Sequence, residues 1–455
     1  MRRTNAAIGL IVALLVLMLA AGTTLASNPR MFEGTTIRVI AETQTPTLAL
    51  EKLLPEFEDL TGIKVELTHG PIDSVVQKEL LALQSGICDY DVISSPYQFL
   101  GSFAENDYVL PLEPLMDNPK LSVIPGFDRE DMIDGMWDAS GLWKGTYYGI
   151  PSNTCIMMLF YRKDLFEDPV EEAEFSKRYG YELQVPKTWE QYSDIAEFFT
   201  RKKGQMLAGQ KLAHDFYGVT IAGKRHDAMT CEWLNYAWSF GGGVFDGKGN
   251  LIINSPQNVD ALEYFVGLTK YAPPGVTNNT WDEVTTQFQQ GIVALAVQFN
   301  DCAPALEDPT ASKVQGKMGY GAIPIAKSPA AHFGAWTYFI PKAAKNPEAA
   351  WLFLQWANTP SVQKRLALDG GFPCVKSVYE DKELLENLPY WEASLEAYKI
   401  SSTRPRIPEW NEMNNEMMLE LSKAVSGEKT PKQALDTLQE KYNKLLQGQL
   451  PMSYQ

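Results

Sequence analysis

Three short polar segments carry the side chains best suited to holding a small solute: Glu42-Thr43-Gln44-Thr45, Ser94-Ser95-Pro96-Tyr97-Gln98 and Asn300-Asp301. Each follows a stretch that reads as a β-strand. In open α/β sheets, ligands sit beyond the carboxyl ends of the strands. Carboxylates and amides there can accept from and donate to several hydroxyls at once, and an aromatic ring can cover an apolar C–H face. None of the three segments carries clustered lysine or arginine, so they suit a neutral, hydroxyl-rich ligand better than a phosphate. A cation such as a polyamine is the alternative, with Glu42, Glu232 and Asp301 supplying carboxylates.

Signatures of other chemistry are missing from the sequence. The four histidines, His69, His214, His226 and His332, form no HExxH. There is no GxSxG elbow, no GxGxxG and no Walker-type loop. Gly241-Gly242-Gly243 follows a helical pattern and reads as a helix stop and turn before Phe245. No two of the five cysteines form a CxxC. No metal and no cofactor is therefore expected. With 56 acidic residues, chance carboxylate pairs are the default, and a secreted hydrolase is the remoter alternative. A net charge of −16 argues against nucleic acid and against anionic membrane as partners.

The elements that must position these residues alternate along the 455-residue chain. Residues 1–26 read as a secretory signal peptide: Arg2 and Arg3, an apolar run from Ile8 to Ala21, then Thr24 and Ala26 at −3 and −1 of a cleavage site. No cysteine follows, so the mature chain is expected to begin near Ser27, unlipidated, in the periplasm or outside the cell. Thr36–Ile40, Ile63–Leu67 and Tyr90–Ile93 read as strands. The helix between the first two carries Leu50, Leu53, Leu54, Phe57 and Leu60 and stops at Thr61-Gly62. Thr188-Trp189-Glu190-Gln191 and Thr430-Pro431-Lys432-Gln433 read as capping boxes. Ser255 and Asn346, each before a proline, read as further helix caps. The β-α-β-α-β order implies a parallel sheet with right-handed crossovers.

In this order the segments resemble the extracellular solute-binding proteins of ABC importers, in the carbohydrate-binding group that includes maltose-binding protein. The resemblance is carried by Leu53-Leu54-Pro55-Glu56-Phe57, Tyr90-Asp91-Val92-Ile93 and Gly149-Ile150-Pro151. It continues through Leu159 to Phe166, Val185-Pro186-Lys187-Thr188-Trp189 and Trp336 to Pro341. Asn346-Pro347-Glu348-Ala349-Ala350-Trp351, Gly370-Gly371-Phe372-Pro373 and Arg404-Pro405-Arg406 complete it. It implies two α/β lobes, each a mainly parallel sheet flanked by helices, with the ligand cleft between them. Lobe 1 would span 35–153 plus 326–371, and lobe 2 154–325 plus 372–455. Hinge closure on the ligand comes with that fold.

The resemblance also implies a monomer that delivers a small neutral sugar or polyol to transmembrane permease subunits. It adds Asn153 at the first crossover, Glu232 on the second lobe, and Trp336 and Trp410 as stacking aromatics. These join Gln44, Ser95, Tyr97, Gln98, Asn300 and Asp301 as ligand-binding candidates. Maltose-binding protein carries an acid nearest Cys155 and a tryptophan nearest Asp301, so a maltodextrin is not expected here. Cys302 and Cys374 lie near the implied lobe boundary and are the candidate pair for a disulfide, which the sequence leaves open.

Overall fold

The computed structural model describes residues 28–447; the expected export segment and its cleavage site lie outside them. The first strand, β1 (Thr36–Glu42), buries Ile37, Val39, Ile40 and Ala41. Helix α1 (Thr45–Thr61) packs one apolar face of Ala49, Leu50, Leu54 and Phe57, with Pro55 exposed within it. Burying a side chain such as Phe57 contributes about 1.5–3 kcal/mol. Gly62, at φ 69°, ends the helix in the left-handed conformation that glycine adopts without strain. Strand β2 (Lys64–Gly70) and helix α2 (Ile72–Ser85) repeat the unit.

Strand β3 spans Val92–Pro96, two residues later than the apolar run suggested. The Asp91 carboxylate accepts from the Arg38 and Asn346 backbone N–H groups at 3.0 and 2.8 Å. The ladder continues through the two serines because a later strand pairs with them. Ser94–Pro96, expected in a loop, are therefore sheet residues, and Tyr97–Phe99 form the turn.

Strand β4 (Gly149–Arg162) is one 14-residue strand. After it come α3 (Trp189–Phe199), β5 (Tyr217–Val219), α4 (Asp227–Ser239) and α5 (Pro256–Gly267). Then follow α6 (Trp281–Gln289), β6 (Val293–Phe299), β7 (Met318–Gly321) and β8 (Ala331–Phe339). The chain ends with α7 (Pro347–Ala357), β9 (Ser401–Ser402), α8 (Trp410–Val425) and α9 (Pro431–Leu445).

The sheet runs β2-β1-β3-β8-β4-β6-β5, with β7 on β4 and β9 on β8. Pairs β1–β2, β1–β3, β5–β6 and β8–β9 are parallel. Within this sheet, every antiparallel pair involves β4 or β8. Along β4, Gly149–Ile156 pairs with β8 and Met157–Tyr161 with β6. One strand thus serves the sheets of both lobes, the α/β arrangement expected.

The capping boxes at Thr188 and Thr430 form, and Ser255 accepts from the Asn258 N–H. Asn346 does not cap α7: its Nδ2 donates to the Thr36 carbonyl at 3.3 Å. The candidate Cys302–Cys374 disulfide is not formed, and the described residues contain no disulfide. Cys302 sits in the turn after β6, whereas Cys374 adjoins the bridge between Met132 and Val375. Nearness to a lobe boundary fixes neither Cα separation nor Cβ direction, and a disulfide needs both.

Candidate functional site

Where β1 and β3 end beside the crossovers β4 and β8, they line a narrow polar cleft with a free volume of about 10 Å³. Glu42 and Gln44 line it from β1 and the start of α1, Ser94 from β3, Ser152 and Asn153 from β4, and Trp336 and Tyr338 from β8. Alternation along β3 decides which serine serves. Ser94 faces the cleft, with its Oγ 3.2 Å from Ser152 Oγ. Ser95 faces the other way and hydrogen-bonds the buried Glu79 carboxyl on α2. The structure therefore does not bring Ser95 to the cleft.

Gln44 Nε2 donates to Glu42. Asn153 Oδ1 accepts from the Phe372 N–H at 2.7 Å, and its buried Nδ2 has no partner. Trp336 is half-buried beside it, at an irregularity where the pairing of β8 with β4 shifts register. Across from Glu42, the turn after β6 holds Asn300 and Asp301. Asn300 Oδ1 accepts from the Ile156 N–H at 3.0 Å, and its Nδ2 is also unpartnered. Burial pushes Glu42 up to about 7, helped by the charge of Asp301. Burial likewise pushes Asp301 up to about 6. Both carboxyls are thus poised between the neutral and the charged form near neutral pH.

Glu232 lies wholly buried on α4, away from this lining. Its carboxyl accepts from the Ala222 N–H at 2.7 Å and from the Tyr236 hydroxyl at 3.3 Å, and burial pushes it up to about 8. Trp410 is fully enclosed at the start of α8. Tyr97 and Gln98 are also buried, and both hold Arg404. The Arg404 backbone N–H donates to the Tyr97 hydroxyl at 2.9 Å, and Nη2 donates to Gln98 Oε1 at 3.1 Å. The Tyr97 hydroxyl itself donates to the Phe333 carbonyl at 3.2 Å.

The same guanidinium places Nη1 2.8 Å from both oxygens of Asp227, which also accepts from Asn414 at 2.6 Å. Burial alone would raise the Asp227 pKa, but the Arg404 charge and these hydrogen bonds hold it well below the usual carboxylate range. Beside this pair lies His332, wholly buried, with its ring stacked on Trp238 at 5.5 Å and the edge of Phe299 at 5.6 Å. Burial, with the Arg404 charge, keeps the imidazole neutral.

Sequence reasoning named Ser94 in its polar segment but chose Ser95 from it, and it missed Ser152 and Tyr338 in the cleft and the cluster of Arg404, Asp227 and His332. Strand parity would have found Ser94 had β3 been read through to Pro96. The Arg404–Asp227 pair spans 177 positions, and no local pattern announces it. Among the described residues, no group of three His, Cys, Asp or Glu side chains is arranged to hold a metal, and no helix is long and apolar enough to cross a membrane.

Two lobes on shared crossover strands, with a polar cleft at the strand ends, define a solute-binding protein of the ABC-transporter type. The profile of the bacterial extracellular solute-binding protein family matches residues 41–364, and the chain belongs to that family. It is a binding protein and not an enzyme.

A solved solute-binding protein of Agrobacterium radiobacter K84, in complex with ribitol, superposes with a TM-score of 0.77 at 26% identity. The match covers 91% of this chain and 99% of that one. A probable amino-acid ABC transporter periplasmic-binding protein of Sinorhizobium fredii is 25% identical over 91% of this chain and 90% of its own. The mannitol-binding protein of Pseudomonas aeruginosa is 24% identical over 72% of this chain and 74% of its own.

Proposed function

We propose that this protein is exported, captures a small neutral sugar or polyol between its lobes, and delivers it as a monomer to the permease subunits of an ABC importer. The observation that carries the ligand class is the lining on the lobe 1 side of the cleft. Gln44, Ser94, Ser152 and Asn153 surround the half-buried Trp336, with no lysine or arginine among the lining side chains. Uncharged donors and acceptors match hydroxyls, and the indole offers an apolar face. Similarity to a ribitol-bound protein and a mannitol-binding protein supports the same ligand class.

In this reading lobe 1 is 35–153 plus 326–371 and lobe 2 is 154–325 plus 372–455, with residues 1–26 removed on export. Gln44 and Asn153 contact the solute from one lobe, and Asn300 and Asp301 from the other. Closure follows because a solute touching both sides has greater affinity for the closed state.

A thermal-shift panel tests this. The mature chain is heated with ribitol, mannitol, maltose, spermidine and an amino acid. A solute that binds only the folded state at 100 times its Kd stabilises it by about 2.7 kcal/mol. A polyol or sugar should raise the midpoint. A response to spermidine alone would move the assignment to the cation reading, with Glu42 and Asp301 as counter-charges. A response to the amino acid alone would discard the neutral-solute reading.

A further inference from the structure

His332 sits in β8, on the same strand as Trp336 of the cleft lining, with no exposed surface, and neither ring nitrogen has a hydrogen-bond partner. Its backbone N–H is held by Asn235 Oδ1 at 2.7 Å, which fixes this point of the strand against α4. The ring lies in an aromatic slot, with Trp238 stacked on it at 27° and Phe299 edge-on at 84°. Glycines make the slot. A Cβ on Gly243 would stand 3.1 Å from the Trp238 ring, and one on Gly334 would meet Cys155 Sγ at 2.5 Å and Phe299 at 3.2 Å.

Other buried polar atoms on the same cluster are equally without partners: Arg404 Nε, Asn300 Nδ2, and Trp281 Nε1 on the ring that packs against Phe299 at 6.1 Å. Native interiors leave few such atoms, and each calls for an explanation. Five gathered around one aromatic slot, from β8, α6, the turn after β6 and the C-terminal segment, mark a place where hydroxyls belong.

Resting on the solute-binding reading above, we infer that His332 forms a polar subsite of the interlobe site, taking the adjacent hydroxyls of a neutral polyol or sugar between its imidazole and the Arg404 Nε–H. A neutral imidazole offers one donor and one acceptor. A hydroxyl both donates and accepts, so neighbouring hydroxyls complement the ring and the guanidinium together. The ligand is neutral because Asp227 already balances the Arg404 charge; an added cation would meet the guanidinium, and an added anion would compete with Asp227. His332 is fully enclosed, so the solute reaches it only when the lobes part, as hinge-bending folds allow.

The test uses the mature chain with ¹⁵N-labelled histidine and its His332→Phe variant. Ribitol and mannitol are titrated calorimetrically, and the ring nitrogens of His332 are followed by NMR. Saturating solute should shift both ring-nitrogen resonances, and His332→Phe should weaken binding about 10- to 100-fold. Without solute, the variant should melt no lower than wild type, because a phenyl ring fills the slot without two buried polar atoms. Unmoved resonances at saturation, or equal affinity in the variant, would overturn the subsite and leave solute binding intact. Should His332→Phe fail to fold, the wild-type resonances alone decide: shifted supports the subsite, unmoved overturns it. Wild type that binds no polyol or sugar would overturn both this inference and the reading beneath it.

Discussion

Beneath the cleft, Asp227 meets Arg404 and Asn414, and Arg404 is held in turn by Tyr97 and Gln98. At the cleft wall, Glu42 has Gln44 for a neighbour and the charge of Asp301 in front of it. The junction pairs its carboxylate and keeps it charged; the cleft leaves its carboxyls without a cation and pushes them up towards neutrality. Another acid, Glu420 between α8 and α9, shows the paired pattern again. Lys429, Lys423 and Lys441 surround it, and although burial would raise its pKa, they hold it at about 2. Where the fold needs a charge it supplies the counter-charge, and at the solute site it leaves the partner out.

The largest expected effect breaks the junction. Arg404→Met leaves the partly buried Asp227 carboxylate, its side chain 25% exposed, without its partner and should cost about 3 kcal/mol in urea unfolding, the low end for breaking a buried pair. Adding Asp227→Asn should recover a large part of that loss. If the double variant is as unstable as the single one, the pair is not what holds the junction.

Behind the cleft wall, burial pushes Glu79 up to about 8. The unfolded chain ionises this carboxyl near pH 4.5 and the folded chain only near 8. Stability from this group is therefore fully present at low pH and falls as pH rises between those values. Glu79→Gln should flatten that fall, a difference of about 3 kcal/mol or less between pH 5 and 8. An unchanged slope in denaturant melts would contradict the assignment.

On the cleft side, Trp336→Ala should weaken solute binding by roughly 1–3 kcal/mol through lost apolar contact, which is about 5- to 150-fold. The melting temperature of the free protein should barely move, because the ring is half-exposed. A collapsed melting temperature would return Trp336 to the core. The smallest effect belongs to Glu42, whose pKa near 7 makes it lose its proton as pH rises through neutrality. Wild-type affinity for a neutral solute should fall a few-fold from pH 6 to 8, and Glu42→Gln should remove that dependence in calorimetric titrations.

Much of this contrast was legible before the fold was known. The alternation from Thr36 to Ile93, the stop at Gly62, and the caps at Thr188, Ser255 and Thr430 are local signals, and all are present. Glu42 and Gln44, which line the cleft, were singled out because polar residues after strands mark the open end of a sheet. Features that depend on distant partners were not legible. β3 extends through Ser94 and Ser95 only because β8 lies alongside, and that extension sends Ser94 to the cleft and Ser95 to Glu79. Asn346 caps nothing because Thr36, 310 positions away, offers a carbonyl. Tyr97 and Gln98 were read as ligand contacts from their place after a strand, and their hydrogen bonds with the distant Arg404 had no local signal.

The central claim is that a neutral solute is gripped between the two lobes, and small-angle X-ray scattering of the mature chain tests it most directly. Scattering is measured with and without a saturating concentration of whichever polyol or sugar raises the melting temperature. The account predicts a smaller radius of gyration with the solute bound, as the lobes draw together across the Glu42 and Asp301 faces. An identical radius of gyration at full occupancy would contradict it.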